Sequence, residues 1–177
     1  MKLLDVLTEF GANGGVPGVR PLGSLADAAT VLGPPRGSGR IDDQLPWPQW
    51  FQFGDLWVEI CHCGVINRAS LPTWHEEVCI PAEQTGKFHT VPSGITFTRL
   101  STAFSAVGIA WRRISEHPQH PQHRQFAMET VVAGLPDVTV HFTFTADDGR
   151  GDAEALLHGV HATEHTHLCP QTPRDDT

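Results

Sequence analysis

The segment 138–145 constrains the fold more than any other part of the sequence, because its apolar and polar residues alternate strictly. Successive side chains of a β-strand point to opposite faces, so the pattern predicts a strand with one face in a core and one in water. A strand of this kind is typical of an antiparallel sheet. The expected inward set is Val138, Val140, Phe142 and Phe144, and the outward set is Thr139, His141, Thr143 and Thr145.

Further segments also have the pattern of strands. Segment 125–132 precedes the alternating strand and is joined to it by the short link 134–137, so the two are expected to form a hairpin. Residues 53–61 alternate as well, and after Gly64 a second strand is expected at 65–71. Shorter extended segments are expected at 76–80 and 109–114, and 153–161 fits either a helix or a strand.

Three segments have helical spacing. Apolar residues at positions 3, 6, 7 and 10 fall on one face of a short helix. Ser24 is placed to cap a second helix, which Gly33 and two prolines end. Thr96 is placed to cap a third, whose apolar face comprises Phe97, Leu100, Phe104 and Val107.

Strands in runs, with helices between them but without the regular alternation of parallel folds, predict an α+β fold. We expect an antiparallel sheet with helices packed on one face, in a single domain spanning 1–169. Within it, 1–21 would be a loosely docked helix and loop. Residues 170–177 are expected to be a disordered tail.

The formal charge of −8 bears on the class of partner. An acidic protein is repelled by phosphate backbones, so we expect no nucleic-acid binding and consider a basic protein the better electrostatic match. No apolar stretch reaches the roughly 20 residues of a membrane span, and Asp5 and Glu9 interrupt the start of the chain. We therefore expect no membrane association and a cytoplasmic location.

The cysteines and histidines offer two candidate metal motifs. Cys61 and Cys63 form a C-x-C pair, but the pair lacks a second ligand pair nearby, so small half-buried thiols are the preferred interpretation. The string 161–165 fits H-x-x-E-H: on a helix, His161 and His165 would bind zinc and Glu164 would activate water. Two observations argue against this zinc site. A third protein ligand would be needed, and the threonines in and next to the string disfavour a helix.

The chain has further histidines on either side of these motifs. An adventitious metal site could be formed by His158, His161, His165, His167 and Cys169, although a solvated terminal segment is preferred. The histidines of 117–123 are expected in an exposed loop. No nucleophile motif or phosphate-binding loop is present, so we assign no catalytic residue, no metal ligand and no cofactor.

The aromatic stretch 47–53 lies just ahead of acidic positions, and Trp74 precedes two glutamates. Tryptophans rimmed by carboxylates suit a basic protein partner. Core packing is preferred for Phe51, Phe53 and Trp57. The expected partner-binding residues are Trp47, Trp50, Asp55, Glu59, Trp74, Glu76 and Glu77.

Four short strings occur in order along the chain: VLGPP at 31–35, FGDLWVE at 53–59, LPTW at 71–74 and GIAW at 108–111. In this order the chain resembles a group of uncharacterised proteins from high-GC bacteria that look like immunity proteins of polymorphic toxin systems. The resemblance implies an intracellular module that neutralises a basic toxin by binding it. The alternatives are a zinc-dependent hydrolase that uses the H-x-x-E-H string, and a small-molecule binding module.

Overall fold

A computed structural model describes residues 2–82, 86–115, 123–147 and 151–169 of the protein. The described residues form a mixed structure of three α-helices and a mostly antiparallel set of strands. The helices are α1 (Leu3–Asn13), α2 (Leu25–Leu32) and α3 (Phe97–Ala106), with a 3₁₀ turn at Asp152–Glu154. The strands are β1 (Gly37–Gly39), β2 (Trp50–Phe53), β3 (Leu56–Ile60), β4 (Ile66–Pro72), β5 (Glu77–Pro81), β6 (Phe88–Pro92), β7 (Arg112–Ser115), β8 (His123–Val132), β9 (Leu135–Asp147) and β10 (Leu156–Glu164).

Eight strands form one sheet in the order β1-β2-β3-β4-β10-β9-β8-β7, and β5 pairs with β6 separately. Every one of these pairings is antiparallel. The last strand along the chain, β10, therefore lies near the middle of the sheet. Because Thr163 pairs with Arg68, the end of β10 lies beside the beginning of β4.

The structure confirms the alternation on β9. The side chains of Val138, Val140, Phe142 and Phe144 are completely buried. The hairpin of β8 and β9 is also confirmed, with a turn at Gly134. Segment 153–161, which fitted either structure, begins with the 3₁₀ turn and continues as β10.

Segment 53–61 corrects one expectation, because it is not a single strand. A turn at Gly54 and Asp55 separates β2 from β3. Gly54 has a φ of +65°, and a Cβ there would lie 2.7 Å from the carbonyl oxygen of Cys79. Both the positive φ and the lack of space for a Cβ therefore require glycine at this position. Trp57 on β3 is 38% exposed, so the expectation that it packs in the core is also wrong.

Helices α1 and α3 contact the sheet through the inward positions of β8 and β9. The Phe104 ring meets Phe142 edge to face, with centroids 5.1 Å apart. Thr130 of β8 donates a hydrogen bond to the carbonyl of Gly11 in α1. The apolar residues at positions 3, 6, 7 and 10 of α1 are buried in the same hydrophobic cluster.

Two predicted segments cannot be compared with the structure. Apart from the backbone of His123, the histidine-rich segment 117–123 lies outside the described residues, as does the tail at 170–177. Among the described helices, none combines the length and apolar character that crossing a membrane requires.

We expect Gly11→Ala to destabilise the fold. A Cβ at this position would lie 2.6 Å from Cζ of Phe104, and that ring is buried against Phe142. Although alanine favours helix by about 1 kcal/mol, overpacking should lower the free energy of unfolding by about 1–3 kcal/mol in urea denaturation. The matched control is Gly151→Ala, where the Cβ meets nothing within 4 Å. Equal stability of the two variants would contradict this packing.

Candidate metal centre

Four potential metal ligands from the two halves of the chain meet at the end of β10. They are Cys61, Cys63, His167 and Cys169, and their sulfur and nitrogen ligand atoms all lie within 4.8 Å of one another. Each of these side chains offers an atom that binds soft or borderline metal ions.

The first ligand pair lies in the turn between β3 and β4. The Cys61 N–H donates to the carbonyl of Val65, and the Gly64 N–H donates to the carbonyl of Cys61, each at 3.0 Å. Gly64 has a φ of +77°, which lets the chain reverse within this short turn. The turn holds Cys61 and Cys63 side by side, with their sulfurs 2.6 Å apart.

The second pair follows β10 and is positioned by Glu164. Its buried carboxylate accepts hydrogen bonds from the N–H of His167 at 2.6 Å and from the hydroxyl of Thr166 at 2.9 Å. Burial alone would raise the pKa of Glu164, but hydrogen bonds from the backbone N–H and the hydroxyl of Thr166 and from the N–H of His167 outweigh it and hold the pKa below its usual value. An ionised Glu164 thus turns the chain so that His167 and Cys169 face the β3–β4 turn.

Four of the six distances between ligand atoms are close to those around a tetrahedral ion. Zn–S bonds of ~2.3 Å and Zn–N bonds of ~2.0 Å give edges of roughly 3.5–3.8 Å between ligand atoms. His167 Nε2 lies 3.3, 3.2 and 3.5 Å from the sulfurs of Cys61, Cys63 and Cys169, and the last two sulfurs are 3.6 Å apart. The Cys61–Cys63 edge is shorter, so these two thiols would separate by roughly 1 Å around zinc.

The paired thiols share their protons unequally. A hydrogen bond from Cys61 is the largest of the effects that lower the pKa of Cys63 to about 6. Burial, followed by hydrogen bonding to Cys63 and Cys169, raises the pKa of Cys61 to about 12. The lowered pKa of Cys63 favours its thiolate, the form that binds metal ions, whereas Cys61 would have to lose its proton for a metal to bind.

The H-x-x-E-H string has a different geometry from the one expected. Residues 161–164 lie on β10, so the helix that would place His161 and His165 on one face does not form. His165 Nε2 is 2.7 Å from the hydroxyl of Thr139, and His161 meets the ring of His141 at 5.1 Å. Glu164 belongs instead to the turn that carries His167.

The expected partner-binding residues of the β2–β3 region do not form one open patch. Trp47 and Trp50 are half-buried, and Trp50 stacks on Trp57 with centroids 4.9 Å apart. The Asp55 carboxylate accepts the backbone N–H of Cys79 in β5. Glu59 lies across from an arginine of β4.

The other expected partner-binding residues lie after β4 and are open to solvent. Trp74 is 58% exposed, and Glu76 and Glu77 beside it are exposed as well. The Trp74 ring meets the ring of His158 with centroids 5.1 Å apart.

A row of polar side chains on the sheet was missed by the sequence reasoning. Arg112, Glu129, His141 and His161 are cross-strand neighbours on β7, β8, β9 and β10. Glu129 accepts hydrogen bonds from Arg112 at 2.6 Å and from His141 at 3.0 Å. The hydrogen bond from Arg112, and to a lesser extent His141, holds the pKa of Glu129 below its usual value. Burial acts in the opposite direction but is outweighed. Only strand register could have revealed this row.

No protein-family model, curated protein or solved structure matches this chain.

His161 should make the fold sensitive to acid. Burial, helped by the charges of Arg68 and His141, lowers the pKa of His161 to about 4 from 6.5. Between these pH values the unfolded chain binds a proton that the folded chain does not, so stability is lost as pH falls below 6.5. The loss from this group should be at most about 1.4 kcal/mol per pH unit.

Urea denaturation of His161→Gln and the unsubstituted protein from pH 7 to pH 4.5 measures this contribution. We expect the stability of the unsubstituted protein to fall more steeply. Parallel pH profiles would contradict the assignment. His89→Gln, on β6, is a control for the loss of a histidine elsewhere.

Proposed function

We propose that this protein binds one zinc ion through Cys61, Cys63, His167 and Cys169. The observation that carries the proposal is the convergence of three thiols and one imidazole within 4.8 Å. Thiolate and imidazole ligands in a four-coordinate arrangement are typical of zinc. Four protein ligands leave no open coordination position, which favours a structural role over hydrolysis.

The zinc would fasten the segment after β10 to the β3–β4 turn. Residues 165–169 form no strand, and the Cys63 and Cys169 ligands are separated by 106 residues. A metal cross-link over so long a loop restricts the unfolded chain and stabilises the folded one. The eight-stranded sheet would not need the zinc to form, because β10 pairs with β9 as far as Glu164 without it.

Purified protein should contain one zinc per chain, measured by plasma mass spectrometry and by cobalt replacement with a thiolate charge-transfer band. Cys63→Ser, Cys169→Ser and His167→Ala should each weaken zinc affinity by at least tenfold, because each removes one ligand. Chelation should lower the melting temperature and increase amide exchange at 165–169 more than in β8 and β9.

The chain provides matched controls for this experiment. Cys79→Ser removes the cysteine outside the cluster, and His165→Ala removes a histidine that faces Thr139 instead. Both should retain full zinc content. Reduced protein that binds no zinc tightly would refute the proposal. So would a loss of zinc in the two control variants as large as that in the ligand variants.

We also propose, as a second function, that the protein is an immunity-type module that binds a basic protein partner. The open position of Trp74, next to the exposed Glu76 and Glu77, supports this proposal because it combines an aromatic anchor with negative charge. We propose further that the helices lie on one face of the sheet within a single domain, which would leave the opposite face for contacts.

Charge reversal tests the second proposal. Glu76→Lys with Glu77→Lys should abolish salt-sensitive capture of a basic protein from a lysate of the native source. The interaction depends on opposite charges, so the association rate should also fall by about tenfold or more in low salt. Glu9→Lys with Asp137→Lys changes the net charge equally, on α1 and β9, and is the control. If both double variants captured the basic protein equally, Glu76 and Glu77 would not belong to the binding surface.

A further inference from the structure

A groove of about 380 Å³ lies on the outward side of β3, β4 and β10. This volume is in the range of small-molecule sites. It is separate from the thiol cluster, because none of the four cluster residues lines it. The side chains that matter for the argument are Trp57, Arg68, Ser70, Trp74, His158 and His161.

The strand register explains why these side chains meet. Trp57 pairs with Ser70, and Ser70 pairs in turn with His161, so all three project from the same face of adjacent strands. The bulge between Leu157 and Gly159 shifts the register of β10 against β9. Gly159 lines the groove without adding a side chain, which leaves space there.

Two tryptophans supply the aromatic surface of the groove. The ring of Trp57 is fixed by stacking on Trp50, with centroids 4.9 Å apart and an interplanar angle of 21°. Trp74 is supported by the ring of His158. Rigid aromatic surfaces that are exposed to solvent bind flat apolar groups with little loss of side-chain entropy.

Among the lining residues, Arg68 is the only one with a permanent charge. Its Nη1 lies 3.5 Å from Glu59 Oε1, and both side chains are more than one-third exposed, so this ion pair is weak. Its Nε is buried and has no hydrogen-bond partner among the described residues. A guanidinium with an unused donor is suited to donate paired hydrogen bonds to a carboxylate.

We propose that this groove binds a small aromatic carboxylate, with its ring against the indoles and its carboxylate on Arg68. A cation is disfavoured because Arg68 would repel it. A neutral aromatic molecule would leave the guanidinium without its acceptor. The hydroxyls of Ser70 and Thr143 add polar contacts within the same groove.

Calorimetric titration of the zinc-loaded protein with 2-naphthoate and with 2-naphthamide tests the proposal, because the two probes have the same ring and differ in charge. We expect naphthoate to bind at least tenfold more tightly. Arg68→Gln should weaken naphthoate binding at least tenfold and leave naphthamide unchanged. Arg99→Gln, on the exposed side of α3, removes an equal charge elsewhere and is the control.

The indole N–H signals of Trp57 and Trp74 in ¹H–¹⁵N spectra locate the site without any variant at Arg68. Both should shift on addition of naphthoate to the unsubstituted protein. The Glu76→Lys, Glu77→Lys and Cys169→Ser proteins should keep naphthoate affinity, so the outcome is distinct from the partner and zinc proposals. Equal affinity for the two probes, no binding of naphthoate at millimolar concentration, or unshifted indole signals would each overturn the proposal.

Discussion

The pairing of β10 with both β4 and β9 is the interaction on which the other features depend. Without it, the eight-stranded sheet would separate into two antiparallel groups, β1 to β4 and β7 to β9. The same pairing sets Thr163 across from Arg68, so the chain leaves β10 beside the β3–β4 turn. It also aligns Ser70 with His161 on the floor of the groove. Both proposed sites therefore rest on one backbone register.

The elements that depend on local pattern could be predicted from the sequence. The strict alternation at 138–145 correctly identified the four buried side chains of this part of β9, and Thr96 was correctly identified as the cap of α3. Gly54 was a local signal that the prediction overlooked, because alternation on both sides of it suggested one strand. Exposure of Trp57 depends on its partner strands, which local pattern does not reveal.

The proposed metal centre could not be found by the same means. Its two halves, C-x-C at Cys61 and H-x-C at His167, are spaced alike but lie more than 100 residues apart. Each half alone is too weak to predict a metal site, and only the sheet order brings them together. The stronger string at 161–165 was misleading because the physical meaning of a four-residue spacing depends on the secondary structure. On a strand, His161 and His165 are about 13 Å apart along the chain.

The position of β10 in the middle of the sheet has a consequence for biosynthesis. A ribosome adds about 5–20 residues per second, and Cys63 precedes His167 by 104 residues. β4 ends at Pro72 and β10 begins at Leu156, so for several seconds the inner edge of β4 lacks its neighbour, and an unpaired edge of this kind invites aggregation. The edge of β9 is unpaired for a shorter time, because β10 follows β9 closely in the chain. Cys61 and Cys63 are meanwhile exposed as an open thiol pair. During this period, aggregation of the nascent chain and oxidation of its thiol pair compete with completion of the sheet.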